Sequence, residues 1–330
     1  MAADTPADLD ILTKIAVAYY ADGVTQEAIS AQFGLSRAKV GRLLKRARED
    51  GVVEVTIRHH PALHRDLEQE LCQRFGLDRA FIGVDHQDVD VQRGLLAGQV
   101  FAYLERNLRD GLVMTAGMGR NVAAIADHNA NPARRDCLFV CAIGGALRAG
   151  EPLNADHICR RFAQKFGGRS ETLYAPAYVE RPELRDAFMA NQTLRETLDK
   201  ARRADIALVG IGNLSEDSNM VRMGWFAPEE IAAARLAGTA GDLMGYDFFN
   251  LDGRIADNGL QGRVIGLSID DLRHIPTVIA VASENSKPLA ILGALRTGVI
   301  KVLATSLANV HSVLALDDTT KQIRAQRTTD

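Results

Sequence analysis

Cysteine, tryptophan and long apolar runs are scarce in this chain of 330 residues. Its four cysteines, Cys72, Cys137, Cys141 and Cys159, form no C-x-x-C pair. A metal site built on Cys137, Cys141 and Cys159 would lack the tight ligand pairs of structural zinc sites. Most of the cysteines lie in apolar segments, so they are expected as buried, reduced thiols, and no metal is expected. No apolar stretch approaches the roughly 18 residues of a membrane-crossing helix. The opening MAADTPADLD is acidic and lacks the basic and apolar regions of a signal peptide. A cytoplasmic protein with no membrane partner is the expectation. Charge of one sign is also missing, with a formal net charge of -3. That excludes a protein coated in nucleic acid but leaves room for one basic face, since binding needs a patch and not a basic total. Internal repeats and low-complexity segments are absent too.

What is present is ordinary globular material. Hydrophobic residues make up 47% and charged residues 25%, enough to bury a sizeable core. The length suggests two domains, or a small module joined to a large one.

The first 60 residues carry a distinctive order. Leu9, Leu12, Ile15, Ala16 and Tyr19 mark one stripe of a helix over 9–20, which Asp22-Gly23 breaks. Thr25 is placed to cap a second helix with apolar positions Ala28, Ile29 and Phe33. Gly34-Leu35 makes a tight turn. Ser36 then caps a third helix, whose core positions are Val40, Leu43, Leu44 and Ala47 and which ends near Asp50-Gly51. VVEVTI, at 52–57, alternates like a short strand. Two short helices joined by a glycine turn, the second strongly basic, form the helix-turn-helix pattern. Six basic residues lie between Ser36 and Asp50: Arg37, Lys39, Arg42, Lys45, Arg46 and Arg48. At 100° per residue, Arg37, Ala38, Gly41, Arg42 and Lys45 point away from the core stripe. Arg37 and Arg42 have forked donors suited to guanine, while Lys39, Lys45 and Arg46 suit phosphates. The acids Asp4, Asp8, Asp10 and Asp22 keep the segment near neutral, so binding should rest on that one face. Double-stranded DNA is therefore an expected partner, with Ser36 opening the helix.

His59, His60 and Pro61 mark a boundary. A helix at about 62–75 follows, with Leu63, Leu67, Leu71 and Phe75 on one stripe; it pairs with its copy or docks on the next domain. From residue 79 short apolar runs alternate with amphipathic helices. RAFIGV precedes a helix near 89–107, LVMTA one near 120–128 and CLFVCAI one near 153–166. DIALVGIG and PTVIAVA follow, the latter before a helix near 287–296, and IKVLAT leads into a last helix near 306–316. This reads as a doubly wound, mostly parallel α/β sheet covered on both faces. The polar stretch from Asp317 onward is expected to fray.

In such sheets ligands bind beyond the C-terminal strand ends, where loops meet helix N-termini. The first loop, Ala116 to Asn121, has Gly117 and Gly119 for close backbone approach and Arg120 for charge. It has the start of a dinucleotide fingerprint, but Ala123 stands for the third glycine and no acid ends the next strand. No cofactor is expected. The second loop contains Gly144, with Asn154 and His157 at the start of a helix. A third, Gly210 to Asn213, includes Gly212 and runs on through a polar stretch to Arg222. The fourth holds Asp242, able to accept sugar hydroxyls. The fifth ends at Lys287, which, like Arg222, could meet a phosphate or carboxylate.

Over residues 9–317 the chain resembles the SorC/DeoR family of sugar-sensing transcription regulators. The resemblance is carried by TQEAISAQFGLSRAKVGRLLKRAREDGVVEV, GMGRNVA, GGALRAGEPLNADHICRRFA, ALVGIGN, AGDLMGYDFFNLDG and SKPLAILGALRTG. It implies an effector domain similar in fold to sugar-phosphate isomerases and deaminases. Ligands that are usually phosphorylated sugars, and homodimers or homotetramers on palindromic operators, are implied as well. By this likeness Gly119, Arg120 and Asn121 form a phosphate cradle, and Asn154 and Asp242 contact sugar hydroxyls. Lys287, and less closely Arg222, stand near the phosphate. The sequence departs from that pattern where it has Asn121 for a frequent Thr, Ile143 for an Arg of some members, and Ser283-Glu284 for a Gly-Gly. Its final strand, ATSLAN, lacks the usual Asp turn. An unphosphorylated polyol or ketose fits as well as a sugar phosphate.

The expected organisation is a DNA-binding domain at 1–58, a linker helix at 59–78, an effector and oligomerisation domain at 79–317, and a flexible tail at 318–330. The expected function is regulation of a carbohydrate or polyol catabolic operon by a small sugar, polyol or sugar-phosphate effector, without enzymatic activity. An isomerase- or deaminase-type enzyme, with Asp242 as base and His157 as relay, is the alternative, but it leaves the basic helix unexplained. A constitutive DNA-binding scaffold is the third reading.

Overall fold

The computed structural model describes residues 6–53, 64–146, 151–216, 218–244 and 247–327. The chain divides into two compact units, residues 1–58 and 59–330.

In the first unit, α1 (Pro6–Ala16) runs into a wider π-helical turn over Val17–Ala21. Thr25 Oγ1 accepts the Ala28 N–H at 3.3 Å and opens α2 (Gln26–Phe33). Gly34, at φ 63°, ends that helix in the left-handed region, where the absence of a Cβ removes the steric cost. Ser36 then caps α3 (Arg37–Glu49). Leu12, Ile15, Ala16, Ile29, Val40, Leu44 and Ala47 form the core between the three helices. In α2 Ala28 is exposed and Phe33 half-buried, so the second helix buries a narrower stripe than expected, and Leu43 of α3 is half-buried. Val52 and Val53 form a bend and not a strand: the Val53 N–H closes on the Ala47 carbonyl at 2.9 Å, folding the chain back under α3. The rest of the expected strand, at 54–57, and His59, His60, Pro61 and Leu63 lie outside the described residues.

In the second unit, α4 (Arg65–Phe75) packs Leu67, Leu71 and Phe75 onto the core of the α/β unit. Then come β1 (Arg79–Gly83), α5 (Val89–Asn107), β2 (Val113–Ala116), α6 (Arg120–Asp127), β3 (Leu138–Cys141), α7 (Ala155–Phe166) and β4 (Arg169–Glu171). The helices α8 (Pro182–Met189) and α9 (Gln192–Arg202) lead to β5 (Ile206–Gly212). Next are α10 (Asn219–Arg222), α11 (Pro228–Leu236), β6 (Thr239–Leu243), β7 (Asp247–Asn250) and α12 (Ile269–Leu272). The chain closes with β8 (Thr277–Ala282), α13 (Pro288–Arg296), β9 (Val302–Ser306) and α14 (Leu307–Arg327).

Strands β1-β9-β8-β5-β2-β3-β4 lie side by side in that order, all parallel. A hairpin of β6 and β7 attaches antiparallel to the end of β5. The central strands β8 and β9 are almost wholly buried, as strands covered by helices on both faces must be. From β2 the chain winds outward through β3 to β4; from β5 it winds the other way through β8 to β9. The reversal falls between the neighbours β2 and β5, where an open sheet leaves a crevice at its C-terminal edge.

One element runs further than its sequence pattern. The last helix does not stop at residue 316 but continues to Arg327. The Asp317 carboxylate accepts from Arg296 at 2.8 Å and pairs with Lys321 at 2.7 Å, and Arg74 pairs with Asp318. These contacts hold a polar segment that a periodicity argument leaves without anchors.

Candidate functional site

The candidate residues fall on two surfaces, one in each unit. In the first, Arg37, Ala38, Lys39, Arg42, Lys45 and Arg48 are exposed along α3, opposite the buried Val40, Leu44 and Ala47. The serine at the turn serves the helix itself: Ser36 Oγ accepts the Lys39 N–H at 3.2 Å. Arg37 is held 2.9 Å from Glu27, Lys45 3.5 Å from Glu49, and Arg46 bonds Asp50 at 3.0 Å. Such exposed pairs are weak. Gly41 and Ala38 keep the middle of the cationic face low.

In the second unit, a cavity of about 440 Å³ opens at the switch point. The loop after β2 supplies Gly119, Arg120 and Asn121, and the end of β5 supplies Gly212 and Asn213. The polar segment beyond contributes Ser218, Asn219 and Arg222; β6 contributes Asp242 and the loop after β8 Glu284 and Lys287. Met118, Met244 and Trp225 add apolar wall. Trp225 is buried and stacks on Tyr178 with centroids 6.1 Å apart.

The local geometry follows from residue type. Gly119 has φ 110° and ψ 170°, a conformation essentially restricted to glycine, and its N–H reaches the Leu153 carbonyl at 2.9 Å. That bend starts α6 at the cavity, presenting the N–H-rich end of the helix. Gly212 pairs with Asp242 across β5 and β6, and a Cβ on Gly212 would overlap the Asp242 carboxylate. Asp242 itself is only 3% exposed.

Glu284, absent from the expected site, is the hub of the cavity floor. Its Oε2 accepts from Asn121 Nδ2 at 3.0 Å and lies 3.0 Å from Lys287 Nζ, while Arg93 approaches Oε1 at 3.5 Å. Burial pushes the carboxyl up, but the Lys287 ammonium and the hydrogen bonds from Asn121 and Lys287 outweigh it and bring the pKa down to about 2. Lys287 also donates to the Ile211 carbonyl at 2.8 Å. Asn121 is engaged at both ends, since its Oδ1 accepts from the buried Ser283 hydroxyl at 2.6 Å. Gln92 and Asn309 tie the same loop to α5 and α14 through the carbonyls of Ser283 and Glu284.

Of the residues named from sequence, Gly119, Arg120, Asn121, Gly212, Arg222, Asp242 and Lys287 line this cavity. The other four stand elsewhere. Gly117 packs beneath it: a Cβ there would meet Met244 Sδ at 3.0 Å. At Gly144 a Cβ would lie 2.6 Å from the Ala175 and Pro176 backbone, so close packing demands that glycine. The Asn154 side chain bonds both backbone groups of Ala146, at 2.7 and 3.0 Å, and does not line the cavity. His157 sits on α7 beside Asp156 at 3.8 Å, also outside the lining. The sequence offered one sign of Glu284: an acid three residues before a lysine, in a loop already placed at a strand end. Nothing marked Trp225.

A helix-turn-helix unit joined to a doubly wound unit with a cavity at its switch point defines a ligand-responsive transcription regulator. The chain belongs to the sugar-binding domain family, whose model matches residues 59–315, and a helix-turn-helix family model matches residues 14–58. It is similar to the sugar-binding domain of a transcriptional repressor from Vibrio fischeri, with 52% identity and a TM-score of 0.72 over 77% of this chain and 99% of that one. The full-length sorbitol operon regulator SorC of Klebsiella pneumoniae matches at 25% identity and a TM-score of 0.70, over 93% of this chain and 99% of that one. The erythritol catabolism regulatory protein EryD of Brucella abortus (strain 2308) is 28% identical over 301 residues, 91% of this chain and 94% of that protein. The SorC-type resemblance of the sequence is thereby established. Among the described residues no helix is long and apolar enough to cross a membrane.

Proposed function

We propose that this protein regulates a carbohydrate or polyol catabolic operon. In this reading α3 is the recognition helix, and the cavity at the β2–β5 switch point binds a small polyhydroxylated effector. The observation that carries the reading is one chain holding both an exposed cationic helix and a cavity lined by Asp242, Glu284, Asn213 and Lys287, groups that match hydroxyls. The effector alters DNA affinity through its differential affinity for two arrangements of the protein, typically about 1–3 kcal/mol of coupling. One recognition helix reads too few base pairs for useful specificity, so the working form is a homodimer or homotetramer on a palindromic operator. A regulator of this kind acts where the chromosome is, in the cytoplasm. The enzymatic alternative loses its relay, because His157 does not line the cavity that holds Asp242.

Fluorescence anisotropy with the DNA upstream of the operon, with and without sugars, polyols and their phosphates, tests the reading. A compound that shifts DNA affinity severalfold and is not turned over supports it. Turnover of a compound, or DNA binding indifferent to the whole panel, would overturn it.

A further inference from the structure

We propose that the effector is an uncharged polyhydroxyl compound, a sugar or polyol without phosphate, because the Glu284 carboxylate occupies the anion position beside Lys287. This rests on the reading of the cavity as the effector site.

Lys287 has three N–H donors. One faces Glu284 Oε2 at 3.0 Å and another the Ile211 carbonyl at 2.8 Å. The Asn121 amide, at the start of α6, donates to the same Glu284 oxygen. The two donors best placed to greet a phosphate therefore already serve one carboxylate. That carboxylate remains ionised across the physiological range. Asp242 adds a second acid to the lining. A phosphate dianion entering here would meet the ionised Glu284 carboxylate, which already holds the Lys287 ammonium and draws Arg93 on its other side. The other cations of the lining, Arg120 and Arg222, are exposed, where water and salt screen them. A hydroxyl has no such conflict: it donates to a carboxylate and accepts from the remaining Lys287 N–H. The buried Trp225 offers its apolar surface to the carbon skeleton of such a compound.

The full-length protein is titrated calorimetrically with four- to six-carbon alditols and ketoses, and with the terminal phosphates of the same compounds. The expected result is an unphosphorylated compound that binds at least tenfold more tightly than its own phosphate. Glu284→Gln keeps the side-chain size and an acceptor for Asn121 while removing the charge, and should narrow that ratio at least tenfold. Lys287→Met gives an independent reading: affinity for both forms should fall by similar factors, within threefold of each other. A phosphate that binds the parent protein more tightly than its unphosphorylated form, with a loss in Lys287→Met confined to the phosphate, overturns this inference and leaves the effector site standing. No binding by any compound of either set, with DNA binding intact, overturns the effector reading and this inference with it.

Discussion

The charge at Glu284 sets a measurable acid dependence. Its pKa lies at about 2 in the folded chain against an ordinary 4.5. The folded form therefore binds the proton about 300-fold less tightly, equivalent to about 3.4 kcal/mol. Because the folded value is depressed, this stabilisation is complete above pH 4.5 and is lost as pH falls through about 2. Integrated between those limits, about 1.4 kcal/mol remains at pH 3, so about 2 kcal/mol disappears between pH 7 and pH 3. Glu284→Gln has no such proton. The stability gap between parent and Glu284→Gln should shrink by about 2 kcal/mol over that interval, while other titrating groups cancel in the difference. Trp225 is the single tryptophan and is buried in the cavity wall, so its fluorescence in urea unfolding reports on the α/β unit alone. A gap that stays constant to within about 0.5 kcal/mol from pH 7 to pH 3 would refute the account of Glu284 as an ionised hub.

Four further outcomes follow from the packing. Ser36→Ala should cost the N-terminal unit about 1 kcal/mol through loss of the cap, read by a circular-dichroism melt of the helical signal. Arg42→Ala should cost roughly 1–3 kcal/mol on the specific operator and relax base preference, whereas Lys45→Ala should weaken binding to all sequences and flatten the salt dependence; equal, sequence-blind losses would remove Arg42 from base reading. Gly144→Ala forces a Cβ against the Ala175 and Pro176 backbone and should destabilise the α/β unit by about 1–3 kcal/mol, seen as an earlier Trp225 transition. Gly212→Ala places its Cβ 2.7 Å from the Asp242 Cγ, so it should abolish the effector-induced rise in Tm while leaving operator binding without effector nearly intact.

Much of this was legible in the sequence because its physics is local. Thr25 and Ser36 announce helix starts, Gly34 a left-handed turn, and TVIAVA or IALVGIG a strand covered on both faces. The principle that loops at C-terminal strand ends gather ligand groups brought Gly119, Asn121 and Lys287 to one cavity without any knowledge of strand order, whereas Asp242 reaches it from within the antiparallel strand β6. What escaped is whatever depends on a distant partner. The three polar residues of β4 and the glycine-interrupted β6 carry no alternation to read. Asn154 and Gly144 look like site residues until the Ala146 backbone and the Pro176 segment are seen against them. A lone acid in a loop, such as Glu284, ordinarily belongs to solvent. Only the fold shows that Asn121, Arg93 and Lys287 converge on it.

That convergence also bears on how such a protein changes over generations. Asn121 and Glu284 stand 163 residues apart in the chain, yet share one hydrogen bond at 3.0 Å. A substitution at Glu284 that removes the acceptor strands a buried amide, and one at Asn121 alone strips a part-buried carboxylate of a donor; each such intermediate is less stable than either end point. Relatives should therefore exchange these two positions together, along with the lysine they surround, so that a shift in ligand preference is inherited as a linked set rather than acquired one residue at a time.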